Sequence, residues 1–322
     1  MQYRSLGGTG LQVSVLGYGA ASLGNEYGAI DPAEGQRTVR TALDLGVNII
    51  DVSPYYGRTV AETVLGRALA GVDRDSYVLA TKVGRYDVAA FDFSADRVRR
   101  SVDESLARLG TDHIDLIQCH DIEFVDLDQV VEEALPALYH LRDAGKVRHV
   151  GITGYPLPAL ASVADRATVE TILSYCRYTL LDRALDAWLP FFTRRGIAVM
   201  NASPLGMGLL TSQGPPDWHP APDDLKRRCV EAAELCAGHG VPIERVALRF
   251  AVAHPGFATT IVGTASPDNM RRNVEWALTP TDEKLVAEVE RVLAPVLGYA
   301  WPSGRPENNA DDLVDPDAGG RA

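Results

Sequence analysis

The sequence predicts an α/β protein folded as a single (β/α)8 barrel of the TIM type, with an N-terminal β-hairpin and a C-terminal tail at its active-site end. Short apolar runs alternate with segments of helical periodicity, which predicts strand–helix units and a parallel sheet. The runs are apolar nearly throughout, as expected for strands buried on both faces. Eight such runs occur, and eight parallel strands close into a barrel.

The chain begins with two predicted short strands in residues 1–15, on either side of the turn sequence GGTG. The first barrel strand is expected near residues 15–19. The first helix is expected to have Asp31 as its N-cap and Pro32 in its first turn, and to end at Gly46.

The same strand–helix unit then recurs along the chain. Further strands are predicted at 47–51, 77–82, 114–118, 147–152, 169–174, 197–200 and 259–262, with helices at 59–70, 95–109, 127–144, 157–164, 182–195 and 242–253 and from about 267. The 322 residues fit one barrel domain, and no linker divides them.

Two stretches break this alternation. Residues 203–223 are rich in glycine and proline and are predicted to form an active-site loop at the barrel mouth. The segment WPSG at 301–304 is predicted to fold over the mouth. The polar residues from 305 onward are predicted to be disordered, so the expected domains are a barrel at 1–304 and a tail at 305–322.

Composition limits the partners. The formal net charge of −12 argues against a nucleic-acid partner, which needs a clustered basic face. No signal peptide or membrane-spanning run is visible, so a cytoplasmic protein acting on a small molecule is expected, with its oligomeric state open. The four cysteines lack paired spacing and the seven histidines lack zinc-ligand spacing, so reduced cysteines and no metal are predicted.

Four titratable residues sit at or just after strand ends: Asp51, Tyr56, Lys82 and His120. A parallel barrel keeps its active site at the carboxyl ends of its strands, so these side chains are expected to converge. A tyrosine phenol has a pKa of about 10, and a neighbouring lysine is expected to lower it. Asp51 would hold the lysine, and His120 would hydrogen-bond a substrate oxygen. The predicted chemistry is proton transfer next to a carbonyl or alcohol.

Each of these residues also has a structural interpretation: an aspartate capping a turn, a tyrosine filling a loop, a histidine satisfied in the core. A nucleophilic pair of Cys119 and His120 is a second alternative. Adjacent residues of a strand point to opposite faces, which argues against a hydrogen bond between those two side chains.

The segments that contain these residues resemble the aldo-keto reductase family. DVSPYYG at 51–57 is similar to the family's Asp-x-x-x-x-Tyr-Gly element, ATKVG at 80–84 to its lysine strand, and IDLIQCHD at 114–121 to its histidine strand. The similarity runs from YRSLGGTGLQVSVLGYG at 3–19 to IVGTASPDNMRRNV at 261–274. The resemblance implies that Asp51, Tyr56, Lys82 and His120 form the family's catalytic tetrad.

Hydride chemistry needs a cofactor, and a Rossmann phosphate turn at Gly17-Tyr18-Gly19 lacks its third glycine, since residue 22 is serine. The sequence IVGTAS before the helix near Pro267 is a better phosphate site, because a helix N-terminus presents free amides; its structural interpretation is a helix capped by Ser266. The resemblance implies cofactor contacts from Gly19, Ala20, Thr153, Ser174, Ser203, Pro204, Leu205, Gly206, Ile261, Gly263, Thr264, Ala265, Asn269 and Asn273.

The expected cofactor is NAD. The positions that carry cations for the 2′-phosphate of NADP in many family members are Gly263 and Asn269, and a phosphate without a cation is poorly compensated. Arg271 and Arg272 keep NADP open. The family's carboxamide-binding Ser-Asn pair is Thr153-Gly154 here, its glutamine is Ser174, and its nicotinamide-stacking tyrosine is Ala202.

Within the family, the chain resembles the branch that oxidises L-galactose, L-fucose and related aldoses at C1 to lactones. The expected substrate contacts are Tyr55, Trp218 and Trp301, the tryptophans offering flat faces to a sugar ring. Three alternatives are kept: oxidation of pyridoxal to its lactone, general reduction of aldehydes and ketones, and a cofactor-binding regulatory subunit without activity.

Overall fold

The computed structural model describes residues 1–309, and eight of the strands in this part of the chain close into a parallel barrel. The strands are β1 (Tyr3–Ser5), β2 (Gln12–Ser14), β3 (Leu16–Gly19), β4 (Ile49–Asp51), β5 (Val78–Val83), β6 (Arg85–Asp87), β7 (Ala90–Phe91), β8 (Ile114–Cys119), β9 (Val147–Gly154), β10 (Thr171–Tyr175), β11 (Ala198–Ala202) and β12 (Thr259–Gly263). Around the barrel the order is β3, β4, β5, β8, β9, β10, β11 and β12, which pairs again with β3. The predicted closed barrel is confirmed.

Helices follow the strands on the outside of the barrel. They are α1 (Pro32–Asp44), α2 (Val60–Leu69), α3 (Ala95–Leu109), α4 (Leu127–Gln129), α5 (Leu135–Asp143), α6 (Leu157–Arg166), α7 (Ala184–Arg194), α8 (Asp223–Gly238), α9 (Ile243–Ala253), α10 (Pro267–Leu278) and α11 (Glu283–Leu293). A π-helical turn at Val130–Ala134 joins α4 to α5, so the helix predicted at 127–144 is continuous but locally widened. Asp31 caps α1, its side chain accepting the Ala33 amide at 2.9 Å.

The largest apolar clusters lie between the strands and the surrounding helices. One packs β8 and β9 against the helices from α3 to α7, with buried residues such as Ile117, Leu138 and Phe192. Another packs β3 and β4 against α1, α2 and α10, with buried Leu16 and Ile50. This outer layer explains why the strand sequences are apolar on both faces. Its close packing also holds the strand ends in fixed positions.

The N-terminal hairpin is confirmed, with β1 and β2 antiparallel around a 3-10 turn at Gly7–Thr9. Three elements were not predicted: the small β6–β7 hairpin after β5, and the helices α8 and α11. These helices pack against each other and against α9 in a separate apolar cluster, so their apolar faces do not contact the barrel strands that the prediction followed.

The domain boundary at residue 305 stays a prediction, and the first five residues of the expected tail belong to the part of the chain that the structure describes. Residues 305–309 contain a 3-10 turn at Pro306–Asn308, and the Asn308 amide group donates to the carbonyls of Glu123 and Val125, each at 2.9 Å. These hydrogen bonds to the loop after β8 satisfy polar groups of residues 305–309 and attach the segment to the barrel mouth. The remainder of the expected disordered tail, residues 310–322, lies outside the described residues.

Within residues 1–309, no helix combines the length and apolar character needed to cross a membrane.

Candidate active site

Three neighbouring strands bring the expected residues to the carboxyl end of the barrel. Asp51 is the last residue of β4, Lys82 lies near the end of β5, and His120 directly follows β8. Tyr56 lies in the turn after β4. Because β4 pairs with β5 and β5 pairs with β8, the four side chains meet at one side of the mouth.

The ammonium group of Lys82 lies at the centre of this cluster. Its Nζ atom donates to Asp51 Oδ1 at 2.5 Å, to the Val52 carbonyl at 2.8 Å and to the Tyr56 phenol oxygen at 3.2 Å. An ammonium has three protons, so each has an acceptor. The side chain is 1% exposed, and these contacts hold the cation beside the phenol.

The carboxylate of Asp51 is held from a second direction. Its other oxygen, Oδ2, accepts a hydrogen bond from the Gln118 side-chain amide at 3.0 Å. Burial raises the pKa of Asp51, and Lys82 and Gln118 offset that rise in part. Gln118, which the sequence analysis did not single out, therefore supports the position of the lysine's partner.

The sequence predicted a lowered pKa for Tyr56, and this prediction is wrong, because the net effect of the surroundings is to raise it. Burial raises the pKa of this phenol well above its usual value, and the charges of Asp51 and Asp121 raise it further. The cation of Lys82 is in contact but does not outweigh these effects. Tyr56 is therefore a neutral phenol near neutral pH, which suits it as a proton donor and makes its deprotonation dependent on pH.

His120 is oriented by Ser53. The Ser53 hydroxyl lies 2.9 Å from His120 Nδ1 and also accepts the Tyr55 amide at 3.1 Å. With that amide donating to it, the serine can donate its own proton to Nδ1, which assigns the ring proton to Nε2. Burial lowers the pKa of His120 to about 3, so the ring is neutral and offers an N–H donor from Nε2.

The alternative Cys119–His120 pair does not form. Cys119 is packed in the apolar layer outside the barrel, and burial raises the pKa of its thiol. The four cysteines are all buried and free. Among residues 1–309, no group of three or more His, Cys, Asp or Glu side chains is arranged to hold a metal ion.

The residues expected to bind the phosphate of a dinucleotide lie around β12 and α10. Ser266 caps α10, its hydroxyl accepting the Asn269 amide at 3.3 Å, and Pro267 begins the helix. The backbone before the helix is anchored, because Tyr18 donates to the Thr264 carbonyl at 2.8 Å and Thr38 donates to that of Ala265 at 2.8 Å. The N-terminus of α10 therefore has the fixed, amide-rich form that suits a phosphate.

Close backbone approach shapes the same region. Gly263 pairs with Gly19 across the β12–β3 junction, and a Cβ atom at Gly263 would lie only 2.9 Å from the Gly19 carbonyl oxygen. A side chain at position 263 would displace that backbone, so the packing requires glycine there. The same glycine provides no cation for a phosphate. Ala20 and Ile261 are buried beside this junction, and Asn273 is buried nearly two turns into α10.

The loop after β11 begins with the expected residues Ser203, Pro204, Leu205 and Gly206. Ser203 has a positive φ of 54°, and its carbonyl accepts the Gly206 amide at 2.9 Å. His219 fastens the loop by donating from Nε2 to the Gly206 carbonyl at 3.1 Å. These contacts give the loop a defined shape along the mouth.

The ends of β9 and β10 carry the hydroxyl groups of Thr153 and Ser174, which differ in their hydrogen bonding. The hydroxyl of Ser174 is buried and has no hydrogen-bond partner within residues 1–309. A buried hydroxyl without a partner is costly, so this atom fits a polar group of a bound cofactor. Thr153, in contrast, is engaged, since its hydroxyl accepts the Asp121 amide at 3.0 Å. The residues present thus fit a nicotinamide dinucleotide at the phosphate and carboxamide ends.

The two arginines of α10 are held within their own turn. Arg271 pairs with Asp268 at 2.8 Å, and Arg272 donates to the side-chain oxygen of Asn269. Both side chains are exposed. The Arg272 guanidinium therefore lies beside Asn269, a position at which the sequence analysis noted that a cation for a 2′-phosphate is absent.

The expected substrate residues fall in different settings. Tyr55 lies beside His120, with ring centroids 5.8 Å apart. Trp301 stacks on Tyr155 at 4.7 Å, so one of its faces is covered. Trp218 is 54% exposed, and its ring centroid lies 6.0 Å from that of Tyr27, an aromatic residue after β3 that sequence reasoning missed.

Four further residues at the mouth were missed: Ser53, Arg85, Asp121 and Glu123. Each follows a barrel strand by no more than four residues, which was the available signal. The buried Glu123 accepts the Ser303 hydroxyl at 3.0 Å and the Tyr155 amide at 3.2 Å, and thus binds the C-terminal segment to the mouth. Burial, with the charge of Asp121, raises the pKa of Glu123 to about 8.

The barrel and its cluster of Lys82, Tyr56, Asp51 and His120 fit an enzyme that transfers a proton next to a carbonyl or alcohol. The Aldo/keto reductase family matches residues 15–294, and the chain belongs to that family.

Relatives agree over nearly the full length. The chain is 45% identical to L-galactose dehydrogenase of Arabidopsis thaliana, over 96% of this chain and 99% of the relative. It is 32% identical to D-threo-aldose 1-dehydrogenase of a Pseudomonas species, over 87% and 94%. Among solved structures, an aldo-keto reductase from Bacillus halodurans in its holo form is similar with a TM-score of 0.77 and 28% identity, covering 96% of this chain and all of that one.

Proposed function

We propose that this protein is an NAD-dependent dehydrogenase that oxidises the C1 hydroxyl of a cyclic aldose and releases a lactone. The observation that carries the proposal is the contact of the Lys82 ammonium with the Tyr56 phenol, beside a neutral His120. Once the Tyr56 phenol has lost its proton, it is an acceptor for the substrate proton, and the neutral His120 beside it is a hydrogen-bond donor, as oxidation of a hydroxyl requires.

The proposed reaction is balanced as follows. The C1–H bond breaks and its hydride leaves, while the C1 hydroxyl loses its proton to the Tyr56 phenolate, so that C1 becomes the carbonyl carbon of the lactone. NAD, when bound, supplies the hydride acceptor. The Nε2–H group of His120 orients the reacting oxygen, and Lys82 stabilises the phenolate before it takes the proton.

The proposed cofactor contacts are the α10 N-terminus for phosphate, the 203–206 loop along the pyrophosphate, and Ser174 with Thr153 near the carboxamide. Support comes from the orphan hydroxyl of Ser174 and from the anchored backbone at Thr264. The lack of a side chain at Gly263 favours NAD over NADP.

A sugar substrate is supported by the relatives named L-galactose dehydrogenase and D-threo-aldose 1-dehydrogenase. Aromatic rings against which a pyranose packs also support a sugar. Tyr55 lies beside His120, and Trp218 and Trp301 both lie beside His219 in the loop after β11.

The test is NAD reduction by the purified protein with L-galactose, L-fucose, D-arabinose, pyridoxal and simple aldehydes, with Tyr56→Phe as the matched control. We expect an aldose to give the highest kcat/KM, pyridoxal to follow, and the first product to be a lactone. A free acid formed before any lactone, or a preference for acyclic aldehydes, would return the protein to general carbonyl reduction. No turnover of any compound would support the regulatory-subunit alternative.

A further inference from the structure

Beside His120 lies an ion pair that the proposed proton transfer does not use. Arg85, the first residue of β6, donates from a terminal guanidinium nitrogen to Asp121 Oδ2. Both side chains are largely enclosed, with 13% and 7% of their surfaces exposed. A buried ion pair is seldom retained for stability, because desolvation of both charges offsets their attraction.

The carboxylate of Asp121 faces the reacting region. Its Oδ2 atom lies 3.5 Å from His120 Nε2, the atom assigned to orient the substrate oxygen. Burial disfavours the charge, yet the Arg85 guanidinium, which donates to the carboxylate, and the nearby Lys82 ammonium hold the pKa of Asp121 below its usual range. An ionised acceptor therefore lies beside His120 Nε2.

The backbone at Asp121 is strained. Its φ is 50°, in the left-handed region that side chains rarely adopt. The amide is fastened to Thr153 Oγ1 at 3.0 Å, which retains this conformation. Strain of this kind costs about 1–3 kcal/mol and is concentrated at functional sites.

Arg85 is fixed by aromatic rings. Its guanidinium carbon lies 3.9 Å from the centre of the Tyr55 ring, 5.1 Å from that of Phe124 and 5.3 Å from that of Phe91. Its buried Nε has no hydrogen-bond partner within the part of the chain that the structure describes. The planar cation is thus immobilised, with bonding capacity that the protein does not use.

We propose that Asp121 and Arg85 form a specificity site for the hydroxyl on the carbon next to the reacting C1. The Asp121 carboxylate accepts that hydroxyl's proton in a hydrogen bond, and Arg85 holds the carboxylate in place. Asp121 Oδ2 lies 3.5 Å from the Nε2 atom that orients the C1 oxygen. It is therefore within hydrogen-bonding reach of the hydroxyl on the adjacent carbon. This inference rests on the proposed function and assigns its specificity to named residues.

The experiment compares an aldose with its 2-deoxy counterpart. The wild type should favour the 2-hydroxy sugar by at least about thirtyfold in kcat/KM, since an unmatched buried acceptor is costly. Asp121→Asn, of nearly the same shape, should lose at least about tenfold on the 2-hydroxy sugar and under about threefold on the 2-deoxy sugar. The preference for the 2-hydroxy sugar should therefore fall by at least about threefold.

Asp87→Asn is the matched control, because Asp87 lies on the same hairpin as Arg85 and its ion pair with Arg58, a residue between β4 and α2, is exposed. It should leave the preference unchanged. Arg85→Lys, which keeps the charge but not the planar fork, should reduce the preference less than Asp121→Asn does and keeps the test decisive if that variant does not fold.

Equal losses on both sugars in Asp121→Asn would mean that the residue only positions His120, and would overturn the inference alone. An unchanged preference in either Asp121→Asn or Arg85→Lys would also overturn it. Failure of the wild type to oxidise any aldose would refute the proposed function itself, and the two failures are therefore distinguishable.

Discussion

The Nζ atom of Lys82 lies 3.2 Å from the phenol oxygen of Tyr56, in a part of the barrel where burial raises the pKa of that phenol. The same ammonium is held by Asp51 at 2.5 Å, so it cannot move away without losing a buried ion pair. The contact therefore offsets part of the cost of forming a buried phenolate.

Replacing Tyr56 by phenylalanine should lower kcat for sugar oxidation by at least about a hundredfold, because it removes only the group that takes the proton. NAD affinity, measured by fluorescence titration, should stay nearly unchanged. Activity above a tenth of the wild-type value would exclude Tyr56 as the proton acceptor.

Lys82→Met should move the alkaline activation of oxidation to higher pH. The phenol must lose its proton before it accepts one from the substrate, and removal of the neighbouring cation raises its pKa further. Activity should therefore be lost most at neutral pH and recover in part as the pH rises. The measurement is kcat/KM from pH 6 to 11, and an unshifted profile would make Lys82 purely structural.

We expect NAD to be preferred over NADP by at least about tenfold in kcat/KM. Arg272→Ala should widen this preference if the guanidinium, which now bonds Asn269, also reaches the 2′-phosphate. Asn269→Arg should narrow or reverse the preference for NAD over NADP. Equal use of both cofactors by the wild type would contradict the expectation from Gly263 and Asn269.

Ser53→Ala should lower kcat about tenfold with little change in KM. The hydroxyl at 2.9 Å from His120 Nδ1 selects the tautomer that carries its proton on Nε2, and without it both tautomers are populated. Ser53→Thr keeps the hydroxyl and should restore most of the activity. An equal loss in both variants would point to damage of the turn that Ser53 shares with Tyr55.

Glu123→Gln should stabilise the protein at alkaline pH. The folded-state pKa of about 8 lies above that of an exposed glutamate, so the folded state retains a proton that the unfolded state loses. This carboxyl's contribution to stability is complete at acidic pH and is lost as the pH rises through about 8. Chemical denaturation at pH 5.5 and 8.5 should show a smaller difference for the variant, by at least about 1 kcal/mol. A wild-type-like difference would contradict the buried, protonated state of Glu123.

Much of this architecture could be read from local sequence patterns. The eight apolar runs and the helices between them predicted the closed barrel, since periodicity and strand length are properties of short segments. The placement of Asp51, Lys82 and His120 at strand ends predicted that they would lie together, which they do. The capping of α1 by Asp31 was equally local.

Only the tertiary structure decided the electrostatics of the site and the closure of its mouth. The pKa of Tyr56 rises because surrounding segments exclude water from the phenol, an effect that adjacency to Lys82 in a motif does not reveal. Arg85 meets Asp121 from 36 residues away, and Ser303 meets Glu123 from 180 residues away. Such contacts depend on how the barrel closes and on what it buries, because burial and long-range charge are properties of the packed chain and no local pattern encodes them.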